Sequence, residues 1–141
     1  MIPRRVLAAL LLAPAPAVAA EPDTRRVLGG TLVQLAAEPA VSLPLRGAAR
    51  GRQQSVYEGL RLPGPPVSLV ADRFLVGWGR DGRRGLFLAF DWRAEQLFLL
   101  LLVDGAPVHL APARQARWPE PLAEPFAQFA PDLAGSPVFA E

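Results

Sequence analysis

The chain has 141 residues and a mass of 15.1 kDa, with 51% hydrophobic and 20% charged residues, which is ordinary composition for one globular domain and excludes a multidomain assembly. Fifteen basic side chains stand against thirteen acidic ones, but Arg4 and Arg5 fall in a leader expected to be removed. The remaining chain is then neutral, without the positive excess that nucleic-acid binding leaves. Cysteine is absent, which excludes disulfides, thiolate metal sites and lipid attachment through an N-terminal cysteine.

Every basic side chain is an arginine, and lysine and asparagine do not occur. This pattern fits GC-biased codon usage, so arginine abundance by itself carries little functional information. Residues 1–20 read as a secretory signal peptide. Arg4 and Arg5 form the charged start, Val6 to Ala13 the apolar stretch, and Ala17-Val18-Ala19 or Val18-Ala19-Ala20 the small-residue cleavage site. A retained membrane helix fits less well, because Pro14 and Pro16 interrupt a stretch shorter than the roughly 20 apolar residues that spanning requires. The expected location is the periplasm or the medium, after cleavage near Ala19 or Ala20. The Arg4-Arg5 pair leaves both general secretion and twin-arginine export open.

The rest, 21–141, reads as a single β-rich domain. Its first part holds short apolar pieces, Thr31 to Ala36, Val41 to Leu45 and Ser55 to Leu62, separated by Pro39, by Arg46 to Arg52 and by Pro63-Gly64-Pro65-Pro66. They are taken as strands. Residues 67–111 alternate long apolar runs with turn signals at Gly79 to Gly85, Asp91 to Gln96 and Asp104-Gly105, the pattern of a four-stranded antiparallel meander.

Three turns propose a register. With Asp104-Gly105 as a two-residue turn, Val103 faces Ala106, Leu101 faces Val108 and Leu99 faces Leu110. With Trp92 facing Leu97 and Gly79 facing Gly85, the period of two puts Phe74, Val76, Trp78, Leu86, Leu88, Phe90, Leu99 and Leu101 on one apolar face. The opposite face is mixed. It carries Arg73 opposite Asp91, together with Phe87, Phe98, Leu100 and Leu102, an apolar patch that a bare sheet would leave in water. Residues 112–141 supply a Pro-rich strap or short helix as a candidate cover, with Leu122, Phe126, Phe129 and Leu133 at helical spacing. The expected architecture is a small antiparallel β-barrel or two-layer β-sandwich of roughly seven or eight short strands.

No motif names a reaction, and no cofactor, metal site or catalytic residue is assigned. His109 is the only histidine and would have to recruit carboxylates to act as a base or metal ligand. None of the serines sits in a G-x-S-x-G setting. Asp72 and Asp91, near the same strand ends, are equally a charged rim. Arg46, Arg50 and Arg52 form the densest basic cluster, a candidate anion site because the guanidinium fork suits carboxylate, phosphate or sulfate. Charge is segregated: residues 25–61 hold six arginines against Glu38 and Glu58, and the tail after Arg117 holds only acids.

The expected function is an exported non-enzymatic binding module, presenting Phe87, Phe98, Leu100 and Leu102, with His109 at the rim, to a hydrophobic small molecule or an envelope protein. The alternatives are a small periplasmic hydrolase using His109 with nearby carboxylates, and a structural subunit forming a homodimer through the same face. No nucleic-acid partner is expected, and no transmembrane helix in the mature chain.

Overall fold

The computed structural model describes residues 24–133 and 135–140, so the proposed signal peptide lies outside the described residues. The chain is β-rich, built on one antiparallel meander of five strands: β1 Ser68–Val70, β2 Phe74–Asp81, β3 Arg84–Asp91, β4 Gln96–Val103 and β5 Ala106–Ala111, in spatial order β1-β2-β3-β4-β5. Four were expected over 67–111, but positive φ at Ala71 and Asp72 turns Ser68–Val70 back on residues 74–76 as a strand of its own. The sheet is open, with β1 and β5 at its edges, and is not closed into a barrel.

The segments expected as N-terminal strands are helices, which corrects the reading of residues 21–62. They are α1 Thr24–Val27, α2 Leu32–Ala37, α3 Pro39–Ala48 and α4 Gln53–Leu60. The local cause is capping and period. Thr31 Oγ1 accepts from the Gln34 amide at 3.1 Å, and Gln34 Oε1 accepts from the Thr31 amide at 2.8 Å, a capping box that starts α2. Pro39 opens α3 at a position that lacks a helical partner for its N–H in any case. Buried residues recur at helical spacing: Leu32, Leu35 and Ala36 in α2, Val41 and Leu45 in α3, Val56 and Leu60 in α4.

Turn chemistry sets the register of the meander. Asp104 and Gly105 both have positive φ (54° and 83°), the two-residue turn that matches strand twist, and Val103 pairs with Ala106 and Leu101 with Val108 as expected. Beyond Leu100, which faces His109, an irregularity inserts Leu110, so Leu99 faces Ala111 and not Leu110. Between β3 and β4 the loop is Trp92–Glu95. Asp91 Oδ1 accepts from the Arg93 and Ala94 amides at 3.0 and 3.1 Å, which closes the turn earlier than expected. Leu88 therefore faces Leu99, and Phe90 faces Leu97. That shift of two preserves the faces.

The β2–β3 turn does not preserve them. It is the two-residue Gly82-Arg83, with positive φ at Gly82 (64°), so Gly79 faces Leu86 and Trp78 faces Phe87. A shift of one residue exchanges faces, and Phe74, Val76 and Trp78 leave the face that holds Leu86, Leu88 and Phe90. Arg73 still bonds Asp91 at 2.8 Å, although Phe74 is the residue opposite it.

Each sheet face has its own core. On one, Leu75, Leu86, Leu88, Leu99 and Leu101 meet Leu35, Val41, Val56 and Leu60 of the helical layer. Gly79 admits this layer closely, since a Cβ there would lie 2.5 Å from the Leu62 carbonyl oxygen. On the other, the C-terminal strap covers the sheet: a 3-10 turn Glu120–Leu122 runs into α5 Ala123–Phe129, and Trp118 bridges in parallel to Phe139. Pro125 sits in the first turn of α5, where a missing N–H costs nothing. Leu122, Phe126 and Phe129 are buried on the sheet, and Leu133, past the end of α5, packs at the margin of the same cluster.

Candidate functional site

The patch nominated for binding lies beneath the strap. Phe87, Phe98, Leu100 and Leu102 are exposed by 0, 2, 0 and 3%, respectively. Their neighbours are the chain's own aromatic rings: Phe87 stands 5.2 Å from Phe126 and 5.6 Å from Phe129, and Phe98 stands 5.4 Å from Trp118 between centroids. Edge and tilted packing at these distances is the favourable arrangement of aromatic quadrupoles. The surplus of apolar strand surface that suggested a partner is consumed within the fold.

His109, on β5, is partly buried. Its Nε2 lies 2.8 Å from Ser136 Oγ on the strap, and its Nδ1 is buried without a hydrogen-bond partner. Burial lowers its pKa below the ordinary value, and the charge of Arg114 lowers it further, so the neutral imidazole is the form the fold holds. The hydrolase alternative requires a carboxylate within about 3.2 Å of this ring. The group found there is a serine hydroxyl, and no hydrogen bond or ion pair joins His109 to a carboxylate among the described residues.

The two strand-end carboxylates are engaged separately. Asp91 is buried, which works against ionisation, but the Arg73 guanidinium and the Ala94 and Arg93 amides outweigh this and hold its pKa below the ordinary range. Asp72 lies 3.9 Å from Arg93. Among the described residues no group of three or more His, Asp or Glu is placed to hold a metal ion, and no helix is long and apolar enough to cross a membrane.

The arginine cluster is divided by the helices. Arg46 lies in the last turn of α3, Arg50 follows that helix, and Arg52 precedes α4. All three are exposed, and none forms an ion pair with a described residue. The acidic tail finds another partner: Arg80 grips both oxygens of Asp132 at 2.8 and 2.9 Å and donates to the Phe129 carbonyl at 3.0 Å, tying the end of α5 to β2.

Arg46 lines a feature that sequence reasoning missed. Helices α2, α3 and α4 leave a groove of about 620 Å³ between them, and much of its apolar lining belongs to the core these helices form with the sheet. Val33, Ala36, Leu45, Ala49, Val56 and Leu60 supply most of its apolar lining, and Ser42, Arg46, Gln53, Tyr57 and Arg61 its polar edge. Val33 and Tyr57 remain 43 and 53% exposed. Arg61 donates through Nη1 to the Tyr57 carbonyl at 3.2 Å. No acidic residue lines the groove. The Thr31-x-x-Gln34 capping signature and the i, i+4 apolar pairs were the signals that could have shown the helices, and with them the groove.

Comparison with known proteins finds no matching family model, no matching curated protein and no matching solved structure.

Proposed function

We propose that this chain is exported and that its folded part is a non-enzymatic binding module whose binding surface is the groove of the helical layer. The observation that carries this reading is the unequal covering of the two sheet faces. The strap closes one face with interlocked aromatic rings, whereas the helices leave an apolar hollow of about 620 Å³ open to solvent over the other. An exposed apolar hollow is unusual on a soluble domain unless something occupies it, and this one has the size of a small-molecule site. A ligand on the sheet face around Phe98 and Leu100 would first have to displace Trp118, Phe126 and Phe129. The binding role therefore moves to the groove. Export to the periplasm or the medium rests on the Arg4-Arg5 start, the apolar run and the small residues before Glu21.

The test is titration of the mature chain with N-phenyl-1-naphthylamine, a neutral apolar fluorophore. Saturable binding is expected, and Val33→Glu, which places a carboxylate at the groove mouth, weakens it at unchanged thermal stability. A folded wild-type chain that takes up no probe overturns the reading. The amino terminus of protein recovered from its own cells checks export, with a start at Ala20 or Glu21 expected and a retained Met1 counting against it.

A further inference from the structure

Resting on the reading above, we infer that the groove takes a monomeric amphiphile with a single apolar chain and an anionic head group, the head held by the guanidinium groups of Arg46 and Arg61. The charge of the lining selects this class. Its only ionisable cations or carboxylates are those two arginines, so a cationic head meets repulsion and an anionic one meets two forks. Arg46 makes no ion pair with a described residue, and Arg61 uses one Nη1 proton on the Tyr57 carbonyl, leaving most of its five donors free for a carboxylate, sulfate or phosphate oxygen.

The floor selects the rest of the molecule. Leu45, Val56 and Leu60 are already buried, and Val33 and the Tyr57 ring are the large apolar groups of the lining still in water. A small inorganic anion would leave those two wet, whereas each methylene buried against them strengthens binding by roughly fourfold at most. The shape selects the source. The apolar side chains line a hollow between three helices and do not project as a ridge, which suits a single chain free in solution better than the surface of a bilayer.

The experiment is displacement of bound N-phenyl-1-naphthylamine by dodecanoate, dodecanol and dodecyltrimethylammonium, all below micelle formation. Dodecanoate is expected to displace at a concentration roughly fivefold to tenfold lower than the other two. Decanoate should be weaker than dodecanoate. The preference should vanish in the Arg46→Gln, Arg61→Gln double variant and persist in Arg117→Gln, an exposed arginine outside the groove. Equal displacement by the three head groups overturns the inference and leaves the binding reading standing. So does a preference that survives the double variant, or sedimentation with phosphatidylglycerol vesicles without displacement by monomeric dodecanoate. Failure of the probe itself to bind overturns the binding reading instead.

Discussion

The two covers of the sheet are built on different principles. The strap contributes few residues, but they are large and aromatic, and polar clamps pin it: Arg80 on Asp132 and the Phe129 carbonyl, His109 on Ser136. The helical layer is aliphatic, seals the sheet with Leu and Val side chains and leaves a groove between its helices. It also carries Arg46, Arg50, Arg52 and Arg61, none of them in an ion pair with a described residue, while the chain beyond Arg117 carries acids and no arginine. Dense aromatic packing makes a surface that is finished, and short aliphatic helices make one that can accommodate a guest.

The contrast is broken most severely at its aromatic centre. Trp118→Ala removes a ring that is 1% exposed and contacts Phe87, Phe98, Phe126 and Phe139, and should cost about 3–5 kcal/mol in denaturant unfolding. A loss under 1 kcal/mol would show that the strap is a loose cover. On the helical side, Gly79→Ala forces a methyl against the Leu62 backbone. It should cost about 1–3 kcal/mol by the same measurement, because backbone cannot swing aside as a side-chain tip can.

Acid should separate the covers more finely. The folded pKa of His109 lies below its ordinary value of about 6.5, so the unfolded chain takes the proton first. Its contribution is complete above about pH 6.5 and is lost as pH falls from there towards the folded pKa. Stability followed from pH 7.5 to 5 should therefore fall in the wild type and stay flatter in His109→Gln, with probe binding in the groove unaffected while the chain stays folded. The smallest effect belongs to the Arg80 clamp on Asp132. Asp132→Asn should produce a small loss of stability that shrinks at 1 M salt, since Asp132 faces water. A loss insensitive to salt would mean that the Phe129 carbonyl bond, and not the ion pair, fastens the strap.

Legibility in the sequence follows the same division. The meander could be read because its turns are chemically explicit, with Asp104-Gly105 the clearest. In β2, by contrast, Phe74, Val76 and Trp78 alternate with Leu75, Gly77 and Gly79, so either parity presents apolar or small residues to either core. Where both faces are buried, hydrophobic pattern loses its hold on register, and the short Gly82-Arg83 turn decided it. The helices escaped because each is one to three turns long, and runs such as Leu32 to Ala37 fit a short buried strand as well as a helix by composition. The spacing of Leu122, Phe126 and Phe129 is legible as one helical face, and its packing on the mixed face buries Phe87 and Phe98 with Trp118 in one cluster.

The sequence by itself determined an antiparallel meander over residues 67–111 and a tail able to lie on the sheet, because these follow from turn residues and period; the ion pair of Arg73 with Asp91 forms although the register expected to set it is shifted by one. Only the tertiary structure decided which apolar surface is spent and which is left over. Burial is a competition among all apolar segments of the chain, and its outcome depends on how distant pieces meet. Phe98 and Leu100 found Trp118 and Leu122 to cover them, while Val33 on α2 and Tyr57 on α4 stay 43 and 53% exposed.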